Sequence, residues 1–498
     1  MTSSYTRGKK HLATQMKNQG IDFLNQQEME ILHSKTLQLL NESGCFVQDK
    51  VALEILEKAG CRVEKKHVWV PPTLVEWAIR VAPSRIHLYD RDGNFALDMG
   101  GRNAYYGVGS AEPRIIDPFT GEERLCTEQD NFNCVKVADQ MPYIDYMMSL
   151  CQVYDHPKTS YQHEYAAMIR FSDKPQVVIV DDLQGIKDVV EMASIVRGSL
   201  EELRRKPLFV LYCEPTSPLN CTKDSIEKVR YMAENGLPVL YAPIPMNGAT
   251  GPMTMAANII QANAEGLIGL LIAELVNPGT PVMFGGILTN MDMKSLQPTY
   301  ASPETQIESI AGSQIARDLY HLPTWGTAGC TSSKLPDEQA VLEGTQYITT
   351  SGMGGINCIH DIGYSQFGLT LSMDLVVMMN DAVGRVRRLF DCVNVSDEYC
   401  LMDDMREVGP KGHFLGQPST IKYNLEMWSS DIEDRWEVSK WKELGAKTMG
   451  QRANEKVRDI IENGEWNTLP PEIDAQIVAV IDRIDKAEAD YLAAKAAK

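Results

Sequence analysis

Eight short apolar runs alternate with longer amphipathic segments along the middle of the chain, and each run breaks off at aromatic, acidic, amide, histidine or glycine residues. The runs occupy residues 103–109, 144–153, 176–181, 207–214, 238–245, 281–287, 323–329 and 355–362. A strand buried on both faces reads as a short apolar run of this kind. The segments between them are long enough for a helix, as parallel strand neighbours require. The pattern predicts an α/β chain built on a (β/α)8 TIM barrel. Such a barrel places its active site at the C-terminal strand ends. The candidate pocket therefore includes Tyr105, Tyr106, Gln152, Asp181, Glu214, Cys330, His360 and Asp361.

The flanks carry a different pattern. Residues 20–95 read as helical, with apolar positions at helical spacing before Gly44, again before Gly60, and a third helix over 73–81 opened by Pro71 and Pro72. Within the barrel, Thr127-Glu128-Gln129-Asp130 and Ser302-Pro303-Glu304 start helices, and Asn235-Gly236 and Asn277-Pro278-Gly279 stop them. An apolar helix over 369–389 completes the eighth unit, and charged, Trp-containing helices follow over 423–442, 446–462 and 471–494. The expected organisation is an N-terminal helical cap (1–95), the barrel (96–390) and a C-terminal helical region (391–498).

Composition narrows the function classes. With 48 Lys plus Arg against 67 Asp plus Glu, the 498-residue chain carries a formal charge of −19, which argues against nucleic acid as a partner. No run of membrane-spanning length is free of charge, and no apolar core of signal-peptide type follows the basic residues of 1–10. The expectation is a cytoplasmic protein whose eleven scattered cysteines are reduced, mostly as small core residues. The nine histidines are dispersed, without CxxC or HxxxH spacing, so no directly bound metal is expected.

Among the strand ends, Asp181-Asp182 and Glu214 offer carboxylates for acid–base work, although Asp181-Asp182 can equally cap the following helix. Cys330 has no evident basic neighbour and reads as a loop thiol. The aromatics are more informative: Tyr105 or Tyr106 (neighbours on a strand face opposite sides), Trp325, Tyr364 and Phe367 can converge on one cavity. An aromatic enclosure attracts a quaternary ammonium group by cation–π interaction, at roughly 0.5–2 kcal/mol per ring. No lysine ends any of the eight runs, which leaves a Schiff-base aldolase without its nucleophile.

Several stretches together resemble the trimethylamine methyltransferase superfamily, in its branch without pyrrolysine. They are Tyr105-Tyr106-Gly107-Val108-Gly109-Ser110, Ile116-Asp117-Pro118 with Thr120-Gly121, Trp325-Gly326-Thr327-Ala328-Gly329-Cys330-Thr331-Ser332-Ser333-Lys334 with Asp337-Glu338-Gln339, and Gly409-Pro410-Lys411-Gly412-His413-Phe414-Leu415. The resemblance implies a TIM-barrel enzyme that moves a methyl group from a methylated amine to the cobalt(I) of a separate corrinoid protein. Where the trimethylamine enzymes carry pyrrolysine, the neighbourhood of Leu335 holds ordinary residues, which points to a quaternary amine instead. Glycine betaine is the first-choice donor, with proline betaine and carnitine as alternatives. In that reading Tyr105, Tyr106, Trp325, Tyr364 and Phe367 enclose the cation, Glu214 or Asp361 balances its charge, and His360 or Gln152 holds the donor's carboxylate. The corrinoid (cobalamin) arrives on a cognate partner, since no Asp-x-His-x-x-Gly motif is present, and the enzyme is expected to form a homo-oligomer. A tetrahydrofolate-linked methyltransferase and a non-catalytic betaine-binding protein are the competing readings.

Overall fold

The structure, a computed structural model, describes residues 20–391 and 393–496. All eight expected strands are present in one parallel sheet: β1 (Tyr105–Val108), β2 (Met147–Met148), β3 (Gln176–Val178), β4 (Phe209–Cys213), β5 (Val239–Tyr241), β6 (Val282–Gly285), β7 (Thr324–Thr327) and β8 (Cys358–Ile362). Their order follows the chain, and a parallel bridge between Gly107 and Tyr146 joins β1 to β2 and closes the ring. Proline marks several strand entrances for a physical reason. Pro175, Pro238, Pro281 and Pro323 have no N–H to give, yet each carbonyl accepts from the preceding strand.

A helix follows every strand: α1 (Glu128–Asp139), α2 (Ser160–Phe171), α3 (Leu183–Arg197), α4 (Lys223–Glu234), α5 (Met255–Val276), α6 (Pro303–Gln314), α7 (Glu338–Met353) and α8 (Met373–Phe390). Thr127 and Ser302 cap α1 and α6 as their sequences predict. Helix α5 is long and apolar enough to cross a bilayer, but most of its apolar stretch is buried inside the protein. Alternation along each strand sorts the side chains. On β4, Val210 and Tyr212 point into the barrel while Phe209, Leu211 and Cys213 face the helices.

The first hundred residues differ from the all-helical expectation. The three helices are there (Gln26–Glu42, Lys50–Lys58 and Pro72–Val81), but strands separate them. Cys45–Val47, Arg62–Glu64 and His67–Trp69 form a small sheet with Asn220–Cys221 from the loop after β4. These strands are only three residues long, too short for a periodicity to show. A hairpin, Ile86–Tyr89 with Phe95–Met99, drives Ile86, Leu88, Leu97 and Met99 into the same core as Val177, Leu240 and Met283. It stoppers the N-terminal end of the barrel.

After α8, the expected helix over 423–442 is broken. Pro418–Asn424 and Val438–Glu443 are short helices, neither with a buried residue, so no apolar face holds them to a longer course. Met449–Asn463 packs against α8 and α1, and Pro471–Ala496 packs against α2 and α3.

Candidate functional site

The C-terminal ends of the strands gather carboxylates and phenols. Glu214, one residue past β4, accepts a hydrogen bond at 2.8 Å from the Tyr212 hydroxyl. Its side chain is open to solvent, yet burial is the main cause raising its carboxyl above the ordinary value. Both observations fit a concave mouth, where water reaches the carboxylate but low-dielectric walls surround it. The Tyr212 ring lies 6.0 Å from Trp325, and Trp325 lies 4.2 Å from His360. Tyr300 and Tyr364 pair at 5.7 Å. Burial, and then the charges of Glu214 and Asp361, push the Tyr212 hydroxyl well above its usual range; at Tyr300 burial and then Asp361 do the same. The three phenols and two carboxylates thus share one field.

Asp361 is the centre of that field. It sits on β8 with φ of +77°, where the register slips between Ile359 and Ile362. The bulge turns its carboxylate inward at 1% exposure. Oδ2 accepts from the Thr327 hydroxyl at 2.5 Å, Oδ1 accepts from Ser110 at 3.3 Å, and Oδ1 lies 3.1 Å from Nε2 of His360. The other ring nitrogen, Nδ1, faces the Gly326 carbonyl at 2.8 Å and so carries a proton. A single further proton is then shared between Nε2 and Asp361, which keeps the buried pair neutral. Burial raises Asp361 and lowers His360, both in the direction of that neutral state.

Other expected site residues are placed differently. Tyr105 does point into the barrel, but it opens β1 rather than ending it. Its hydroxyl accepts from the Asp98 N–H of the floor hairpin, at the end opposite the mouth. Tyr106 faces outward and donates to the Ile348 carbonyl on α7. Trp325 has no exposed surface and packs beneath the mouth rather than lining it. Phe367, on the rim and half-buried, already has a cation on its face: Lys334 Nζ lies 4.2 Å from the ring centroid. His360 has both nitrogens engaged internally, so it is not free to hold a ligand carboxylate. Gln152 is half-buried at the end of the β2 run, its N–H donating to the Glu112 carbonyl at 2.9 Å. Asp182 caps α3 by accepting from Gly185 N–H at 2.9 Å, leaving Asp181 exposed at the mouth. Cys330 is buried, and burial drives its thiol well above the usual range, so it is a poor nucleophile.

Besides Tyr212, three residues of the site lie outside the sequence-based set. Tyr300 arrives on an insertion, Thr289–Asp292 paired with Gln297–Pro298, that covers the ends of β5 and β6. Glu112 is 1% exposed, and neither carboxylate oxygen meets a partner at hydrogen-bonding geometry. Burial first, with the charges of Asp361 and Glu164 adding to it, raises its carboxyl far above the usual range and favours its neutral form. Glu164 on α2 is fully buried, accepts from Ser160 at 2.6 Å, and is raised by burial to about 7.

Glu164 gives a signed prediction. Its native carboxyl holds a proton that the unfolded chain releases near pH 4.5, so its contribution is complete below that pH and is lost as pH rises to about 7. The loss is of order 3 kcal/mol. Urea midpoints of wild type should fall from pH 5 to pH 7.5, and Glu164→Gln should flatten the slope; equal slopes would refute the assignment.

The family profile "Trimethylamine methyltransferase (MTTB)" matches residues 3–489. Trimethylamine methyltransferase of Desulfitobacterium hafniense is 30% identical over 469 residues, covering 94% of each chain. A glycine betaine methyltransferase from the same species is 28% identical over 464 residues, covering 92% of this chain and 96% of the relative. The crystal structure of the Methanosarcina barkeri monomethylamine methyltransferase aligns with a TM-score of 0.48 and 13% identity, over 91% of this chain and 90% of that one. With a family match spanning nearly every residue, the chain belongs to the trimethylamine methyltransferase family and is a methyltransferase.

Proposed function

We propose that this methyltransferase takes a methyl group from a quaternary amine and passes it to the cobalt(I) of a separate corrinoid protein. The observation that carries the proposal is the strand-end cluster in which Tyr212, Tyr300 and Tyr364 lie within the field of carboxylates. Phenol faces attract a cation without demanding a hydrogen bond from it, which suits an alkylated nitrogen that has none to give. Glu214, reachable by solvent, supplies a compensating negative charge. In the transfer the N–CH3 bond breaks toward nitrogen. The positive charge is thereby discharged, and a neutral tertiary amine leaves without needing a proton. The two electrons of the new methyl–cobalt bond come from the acceptor. The enzyme's task is orientation and exclusion of water, and proximity is its main source of rate.

Glycine betaine is the donor to test first, because a relative of that name covers most of the chain. With His360 committed internally, Gln152 is the amide assigned to the donor's anionic end. The experiment is an anaerobic visible spectrum of a cobalt(I) corrinoid mixed with the enzyme and glycine betaine, proline betaine, carnitine or trimethylamine in turn. Formation of methylcobalt(III) with one quaternary amine supports the proposal and names the donor. Conversion with trimethylamine alone, or with none while a known methyltransferase converts the same corrinoid, refutes it. Glu214→Gln should raise KM for the amine about tenfold with little change in kcat, since it removes attraction present before and during transfer. A fall in kcat alone would assign Glu214 to the transfer step.

A further inference from the structure

Five side chains from four segments meet at one place. They are Glu128 at the start of α1, His156 in the loop after β2, His163 on α2, and Asp485 and Glu488 on the helix Pro471–Ala496. His163 is 3% exposed, with Nδ1 3.0 Å from Glu128 Oε1 and Nε2 2.8 Å from Asp485 Oδ1. A neutral imidazole has one N–H, so one of these contacts sets a lone pair against a carboxylate oxygen. His156 stacks on His163 with ring centroids 3.7 Å apart and planes 18° from parallel. Its Nδ1 lies 3.5 Å from Asp485 Oδ1 and 3.7 Å from Glu488 Oε2.

Those two separations are long for N–H···O hydrogen bonds. Around an ion whose bonds to nitrogen and oxygen are about 2.0–2.2 Å, donor–donor edges of a tetrahedron are roughly 3.3–3.6 Å; the 3.5 Å separation matches, the 3.7 Å one is slightly long, and the 2.8 Å between His163 Nε2 and Asp485 Oδ1 would open by about half an ångström on binding. Satisfying Glu128 and Asp485 by protons alone would charge the buried His163 ring and leave His156 without a close partner for Nδ1. Glu488 is itself held in place by the Lys158 N–H at 2.7 Å and the Thr159 hydroxyl at 2.9 Å.

We propose that a divalent ion of the zinc type binds here, taking one nitrogen from each of His156 and His163 and one oxygen from each of Asp485 and Glu488. Glu128 then accepts from Nδ1–H of His163 and fixes the ring, the usual outer partner of a metal-bound imidazole. Two imidazoles with two carboxylates suit zinc, and four protein donors make the site closed and structural. The ion would pin the C-terminal helix to α2 of the barrel. No step of the proposed methyl transfer passes through the ion.

The test uses the full-length, tag-free protein stripped with EDTA and equilibrated with Zn2+. One ion per chain should be retained after dialysis, X-ray absorption should show nitrogen and oxygen neighbours without sulfur, and the thermal midpoint should rise with added ion. His156→Ala and Asp485→Ala should each weaken retention at least about tenfold, while melting like wild type in EDTA. Retention below one ion per ten chains, sulfur in the coordination shell, or unchanged retention in both variants would each overturn the proposal. The absorption readout stands on wild-type protein, so it holds even if a variant fails to fold.

Discussion

Asp361→Asn is expected to lower kcat/KM for the quaternary amine by about 10²-fold while the protein melts within a few degrees of wild type. Asparagine tolerates the left-handed backbone at this position, where φ is +77°. Its amide can donate to Nε2 of His360, and its carbonyl can still accept from Thr327 at the place where Asp361 accepts now. What the substitution removes is the carboxyl's share in the proton it holds with His360. Tyr212, Tyr300 and Tyr364 all lie within the field of this carboxyl, so the change reaches the whole mouth at once. Disturbing a buried hydrogen-bonded group costs about 1–3 kcal/mol, and the upper end corresponds to the fall expected here. Asp361→Ala should cost as much in activity and also in stability, because it strands the Thr327 and Ser110 hydroxyls and burdens an alanine with a left-handed backbone. Steady-state rates with circular dichroism melts separate the two variants. Wild-type activity in Asp361→Asn would remove the carboxyl from the donor site.

The second large effect is structural. Gly107→Ala should destabilise the barrel by about 3 kcal/mol or more, seen as a lower urea midpoint with loss of soluble expression at 37 °C. A β-carbon at Gly107 would lie 2.2 Å from the Tyr146 ring. That ring is 0% exposed, wedged in the barrel interior, so it has nowhere to retreat. The same two residues form the bridge that closes β1 onto β2. Gly121→Ala, at an exposed turn where a β-carbon meets nothing, is the comparison, costing only the strain of its positive φ.

Much of the fold could be read from the chain because buried parallel strands are apolar throughout and because proline repeatedly opens them. The site was harder to read. An apolar run shows that a strand exists, but not at which residue its pairing begins. Tyr105 and Tyr106 therefore looked like a strand end, whereas β1 starts at Tyr105 and places that ring on the floor. Glu214, Asp361 and Tyr364 needed no such precision, since each follows or closes its strand. Tyr300 and Glu112 depend on an insertion and on a kink at Ala111, where φ is +62°, and neither has a sequence signature. The histidine cluster is invisible to spacing rules, because His163 and Asp485 stand 322 residues apart.

The hairpin Ile86–Met99 seals the barrel floor, so for the proposed reaction donor, acceptor and amine product share one doorway. Traffic through a single doorway imposes an order. The amine has to enter before the acceptor protein settles over the mouth, and the demethylated product has to wait for that protein to depart. The kinetic signature is a compulsory-order ternary complex: excess acceptor should inhibit at low amine concentration, and the product amine should compete with the donor amine but not with the acceptor.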